Sequence, residues 1–162
     1  MPHGIRRTAR QTGRVTDSTK PTAPTDAMRR VELTRDCAGH YTATNARGGT
    51  LPIGSGGDAD FTPVELLLAA VAGCSAIDVD LLTSRRAEPE AFAVSAAAEK
   101  LRDAHGNHLG PVEVVFTVQF GEGADGDRAR EVLPTAVRQS RDRLCTVSRT
   151  VQLPTPVDMR AE

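Results

Sequence analysis

The chain has no tryptophan, one tyrosine and four phenylalanines in 162 residues. Without bulky rings its core has to be filled by Val, Leu and Ala. Such small volumes favour a helix packed closely on a sheet or on a second copy of itself. An excess of either charge is missing too: 20 Lys and Arg stand against 21 Asp and Glu, a net charge of −1. Neither nucleic acid nor an anionic membrane is therefore the evident partner. The three cysteines are too few and odd in number for a disulfide scaffold, no secretory leader is recognisable ahead of them, and they suit a reducing cytoplasm. No glycine-rich phosphate loop follows a strand and opens a helix, and no Ser, His and Asp group stands out. No cofactor or metal is expected.

What the chain does have is one long apolar run, Phe61 to Leu82. Thr62 is placed to cap a helix whose first turn holds Pro63, already at a helical φ, and Glu65, whose charge suits the positive end of the dipole. From Leu66 to Cys74 no side chain is polar on any face, so this helix is expected to be buried all round. Its length tempts a membrane reading, but Glu65, Asp78 and Asp80 interrupt the run and the rest of the chain is polar, which points to a soluble core. Cys74 sits near its middle. A lone buried cysteine is most often a small packing residue, so a chemical role for it needs other support.

Around that helix the patterns change in order. Residues 1–27 carry Arg6, Arg7, Arg10, Arg14 and Lys20 with few apolar residues, and read as a disordered tail outside a single domain of residues 28–162. Val31 and Leu33, then Tyr41 and Ala43, alternate on either side of Asp36 to His40 and predict a β-hairpin. A short strand, Thr50 to Gly54, and a glycine-rich loop to Asp60 follow. Phe92 to Leu101 and Val112 to Phe120 predict an antiparallel pair separated by a turn from Asp103 to Gly110. Asp127 is expected to cap a second helix with Ala129, Val132, Leu133, Ala136, Val137, Ser140 and Leu144 on one stripe. Pro134 should kink it on the polar side, and it should end at Cys145. A last strand is expected around Thr150 to Leu153, held to an edge by Pro154 and Pro156.

The order of strands and helices, with Pro63-Val-Glu-Leu-Leu-Leu-Ala-Ala-Val-Ala-Gly-Cys74-Ser and Leu144-Cys145-Thr-Val-Ser148 in their places, resembles the OsmC-like family over roughly Met28 to Val157. That family includes osmotically inducible protein C and the organic hydroperoxide resistance proteins. The resemblance implies an α+β fold in which two chains intertwine as a homodimer, with the long helices at the centre and antiparallel sheets wrapped around them. It places the family's two cysteines at Cys74 and Cys145. In the peroxidase members the first attacks an organic hydroperoxide and the second resolves it, and an external dithiol of lipoyl or thioredoxin type reduces the product.

The chemistry is intelligible from the residue types. A thiolate attacks the peroxide, leaving a sulfenic acid and releasing an alcohol. A second thiol condenses with it to a disulfide. Burial in an apolar helix raises a thiol's pKa, so a cation must stand near Cys74 for reactivity at neutral pH, and arginine suits because it stays charged. Arg47, in the approach to the helix, is the candidate; Arg35 and Arg149 stay open. The chain departs from the peroxidases where they carry a carboxylate directly after the helix-opening proline: Val64 stands there. Glu65 lies nine residues before Cys74, about 180° around and about 13 Å along a straight helix. It either acts at the other subunit's cysteine or only compensates the dipole. Two rival readings remain: a non-catalytic dimer that binds a small apolar ligand or senses redox state, and, less favoured, a zinc site built from Cys37, His40, His105 and His108.

Overall fold

The computed structural model describes residues 27–161. The arginine-rich segment expected to be a disordered tail lies, up to residue 26, outside them. The fold mixes helices and sheets in the order β1 (Val31–Cys37), β2 (His40–Asn45), β3 (Thr50–Ile53), α1 (Pro63–Thr83), β4 (Pro89–Ala97), β5 (Lys100–Asp103), β6 (Gly106–Leu109), β7 (Glu113–Phe120), α2 (Ala124–Gln139), a π-helical turn (Ser140–Leu144) and α3 (Thr146–Gln152).

The first three strands form an antiparallel sheet in the order β1-β2-β3, with Leu33 opposite Ala43 and Tyr41 opposite Ile53. Pro52 is accommodated because β3 is an edge. This sheet buries little: every residue of β1 is exposed, Val31 and Leu33 among them.

Strands β4 and β7 pair antiparallel, with Val94 opposite Phe116 and Phe92 opposite Val118. Their inward residues carry the aromatic content of the core. Phe92 and Phe116 meet edge to face, centroids 6.3 Å apart, the arrangement that ring quadrupoles favour. β4 stops at Ala97 instead of running to Leu101, and Lys100–Asp103 pairs with Gly106–Leu109 as a separate hairpin. The expected turn is thus itself a small sheet. Its tip is tied by Asp103, whose side-chain oxygen accepts the N–H groups of His105 and Gly106 at 2.7 and 3.1 Å.

Helix α1 starts as its sequence dictates. Thr62 and Glu65 form a capping box: Glu65 accepts from the Thr62 N–H at 2.8 Å, and Thr62 Oγ1 accepts from the Glu65 N–H at 3.3 Å. The helix is not buried all round within the chain. Val71, Ser75, Val79 and Thr83 form one buried stripe, while Leu67, Ile77 and Leu81 are exposed. At i, i+4 spacing one stripe is all that α2, α3 and β4 on one side can cover.

Helix α2 begins a turn earlier than expected. Gly123, at φ 105°, turns the chain into the helix, and Asp125 and Asp127 fall in its first turn. Asp127 does not cap but accepts from Arg130 at 2.6 Å, and Arg130 also bonds the Phe120 carbonyl at 2.8 Å, fastening α2 to the end of β7. Gly126 is buried so tightly that a Cβ there would lie 1.8 Å from the Gly121 carbonyl oxygen. Pro134 sits inside α2, which continues through it. After Gln139 the helix widens into the π turn, closed by the Cys145 N–H on the Ser140 carbonyl at 3.0 Å. The extra residue turns Leu144 out of the expected stripe, and its side chain is exposed. The final segment is a helix, not an edge strand: Cys145 caps it, and this local bonding together with packing on α1 overrides the β-branched composition of Thr146 to Val151.

Candidate functional site

Cys74 lies mid-way along α1, and Asp78 is one turn further on the same face. Ser140, almost fully buried at the start of the π turn, donates its hydroxyl to Asp78 Oδ2 at 2.9 Å. Cys145 follows the same turn, 1% exposed, and its sulfur accepts the Ser148 N–H at 3.3 Å. The π turn and the α3 cap therefore present the second cysteine to α1. The sulfurs of Cys74 and Cys145 and a carboxylate oxygen of Asp78 all lie within 4.8 Å of one another. Neither cysteine is in a disulfide. A disulfide holds its sulfurs about 2.05 Å apart, so less than about 3 Å separates this pair from bonding distance.

The electrostatics oppose ionisation of Cys74. Burial pushes its thiol above the ordinary 9.0, the Val147 N–H pulls it back, and the hydrogen bond and charge of Cys145 and the Asp78 carboxylate push it up again. No cation is among these influences. Arg47 lies in the β2–β3 turn, where its N–H bonds Asn45 Oδ1 at 2.8 Å. Arg35 is paired in β1 opposite Tyr41, and Arg149 lies in the last turn of α3. Glu65 is engaged in the α1 capping box, and its bonds from Thr62 hold its carboxyl below the usual range.

A cavity of about 430 Å³ lies on the same side of α1, and neither Cys74 nor Cys145 is among its lining residues. Val71, Val114, Phe116, Val137 and Val151 make it apolar, and Arg141, which bonds Asp142 at 2.7 Å, stands on its wall. Ser75 and Ser148 line it as well; one follows Cys74 in the chain and the other bonds Cys145.

The four residues of the rival zinc reading do not come together. His108 faces Asp103 at 3.7 Å on the β5–β6 hairpin, and Cys37 is exposed at the end of β1. His40 instead lies between Asp58 and Asp60, at 3.3 and 3.7 Å, in the loop closed by the Gly54 N–H on the Phe61 carbonyl.

A family model described as OsmC-like protein matches residues 55–160. The chain belongs to the OsmC-like family. Solved structures agree on the fold. A hypothetical protein from Aquifex aeolicus superposes with a TM-score of 0.62 at 21% identity, over 77% of this chain and 87% of that one. An OsmC-like protein of unknown function from Vibrio cholerae gives 0.61 at 13% identity, covering 77% and 94%. An organic hydroperoxide resistance protein OsmC from Legionella pneumophila gives 0.53 at 15%, covering 77% and 89%. No curated protein matches the sequence closely enough to count. The family includes peroxidases, and in this OsmC-like chain both motif cysteines meet at one site. Sequence reasoning missed Asp78 and Ser140 as members of that site. Asp78 was legible as the residue one helical turn after Cys74; Ser140 carried no signal beyond its place on an apolar stripe.

Proposed function

We propose that this protein is a homodimeric, thiol-dependent peroxidase that reduces organic hydroperoxides in the cytoplasm. The observation that carries the reading is the convergence of two free thiols from segments some seventy residues apart, with an apolar cavity lined by their neighbours Ser75 and Ser148. Cys74 as thiolate attacks the terminal peroxide oxygen. The O–O bond breaks, the alcohol leaves with a proton, and Cys74 becomes a sulfenic acid. The Cys145 thiol attacks that sulfur and water leaves, forming a disulfide. An external dithiol of lipoyl or thioredoxin type is then oxidised as it reduces the pair. The cavity takes the alkyl group, which favours organic hydroperoxides over hydrogen peroxide.

Among the described residues no cation shifts Cys74, so the activating cation comes from across the dimer: Arg47 stabilises the thiolate, and Glu65 holds that arginine in the site of the opposite copy. Exposed Val31 and Leu33 on β1, and Ile77 and Leu81 on α1, give the second copy an apolar surface to cover. Consumption of tert-butyl or cumene hydroperoxide with dihydrolipoamide tests the reading. Cys74→Ser should abolish turnover and Cys145→Ser should leave a trapped sulfenic acid; equal turnover by wild type and Cys74→Ser overturns it. The second reading, a non-catalytic dimer that binds a small apolar ligand or senses redox state, is favoured by one feature: the Asp78 carboxylate beside Cys74 works against thiolate formation.

A further inference from the structure

Asp78 has no task in the peroxide cycle. Its carboxylate lies within 4.8 Å of both sulfurs, and it is held in place by a buried serine. Such a set, two sulfurs and one oxygen converging on a point, is a donor set for a divalent cation of the zinc class. We propose that reduced Cys74, Asp78 and Cys145 bind one Zn²⁺ per chain, with a fourth position open to water, and that the bound ion keeps the thiol pair from oxidation.

The geometry fits. With Zn–S bonds of about 2.3 Å a tetrahedral ion holds its sulfur ligands about 3.8 Å apart, and the three donor atoms here already lie within 4.8 Å of one another. The surroundings supply the outer shell that orients such ligands. The Ser140 hydroxyl fixes Asp78 Oδ2, the Ser148 N–H points at the Cys145 sulfur, and the Val147 N–H points at Cys74. Two of the donors come from one helix face at i, i+4 and the third from the junction of the π turn and α3, so the site is built on secondary structure. The donor charge supports a cation as well: two thiolates and a carboxylate sum to −3, and a divalent ion brings the cluster to −1 on release of the two thiol protons.

The inference concerns the thiols assigned to peroxide chemistry but does not depend on that assignment. Reduced, chelator-treated protein is titrated anaerobically with Co²⁺. Wild type should develop the visible bands of a tetrahedral cobalt and a near-ultraviolet thiolate-to-cobalt band, saturating at one ion per chain and abolished by Zn²⁺. Cys74→Ser and Cys145→Ser should lose the thiolate band, and Asp78→Asn should weaken binding tenfold or more. Protein first oxidised to the Cys74–Cys145 disulfide should not bind. A readout on wild type alone is free of folding effects: Zn²⁺ should protect Cys74 and Cys145, but not exposed Cys37, from alkylation by N-ethylmaleimide as read by mass spectrometry. Absence of a thiolate band, or no protection of the pair, overturns the site. Binding that survives Cys74→Ser and is lost in His40→Ala assigns the ion to the His40, Asp58 and Asp60 loop and overturns it too. Peroxide turnover of metal-free protein is measured separately: turnover without metal binding sinks only the metal inference, and metal binding without turnover sinks only the peroxidase.

Discussion

The sheet of β1, β2 and β3 and the cluster of α1, α2 and α3 are built on opposite principles. The sheet is closed by local hydrogen bonds between neighbours in sequence, and in the isolated chain its apolar side chains remain wet: Val31 and Leu33 are more than half exposed. The helical cluster is closed by packing between segments far apart in sequence. Val79, Thr83, Ala129, Ala136, Ser140 and Cys145 are all nearly or wholly excluded from solvent there. Backbone pairing can specify a sheet without giving it a core, and three strands become stable only when a face is covered. The two motif cysteines sit at the edge of that packed region, with Cys145 buried and Cys74 half-buried.

Gly126→Ala should strike the packed region hardest. Its Cβ would fall on the Gly121 carbonyl oxygen, and relief requires α2 to lift off β7, so a loss of about 3 kcal/mol or more is expected in urea unfolding. Ser140→Ala should follow. It leaves the Asp78 carboxylate without its buried donor and should cost about 1–3 kcal/mol. Thr62→Ala, which removes one half of the α1 capping box, should cost about 1 kcal/mol. Leu33→Glu in the sheet should change the unfolding free energy of dilute single chains by about 0.5 kcal/mol or less, because that side chain is 58% exposed. The same variant should shift a dimer towards monomer in analytical ultracentrifugation. A large stability loss in dilute Leu33→Glu would erase the contrast between the two regions.

The Cys74 thiol sharpens it further. Its pKa lies above the ordinary 9.0 because burial, Cys145 and Asp78 all favour the neutral form, so the thiolate fraction is small at neutral pH and grows only as pH rises through the elevated value. In dissociated, metal-free chains of Cys145→Ser, alkylation at Cys74 by iodoacetamide should therefore climb about tenfold per pH unit from 7 to 9. In the dimer a plateau below pH 8 is expected, from the arginine proposed to reach the sulfur; a plateau in the dissociated chain would reveal a cation beyond the groups that shift Cys74 among the described residues.

Much of the frame was legible residue by residue. Thr62, Pro63 and Glu65 announced the start of α1 by local rules that no packing overturned. The alternation from Val112 to Phe120 demanded a partner, which β4 provides in the expected antiparallel sense. The misread elements share a cause. Thr146 to Leu153 has β-branched composition yet folds as α3, because one sulfur caps it and α1 packs on it. Asp127 looked like a cap, yet Gly123 starts the helix a turn earlier. The zinc reading paired residues close in sequence, whereas His40 finds Asp58 and Asp60 only because the Gly54 loop folds back to it.

The sequence alone determined the start of α1, the strand alternation and the two motif cysteines, since capping, side-chain period and residue type act over a few neighbours. Only the tertiary structure decided that Cys74 and Cys145 meet, that a π turn aims the second at the first, and that Ser140 holds Asp78 beside them. Those relations depend on how segments separated by sixty to seventy residues pack. Packing is a property of summed volumes and buried contacts that no local window of residues contains.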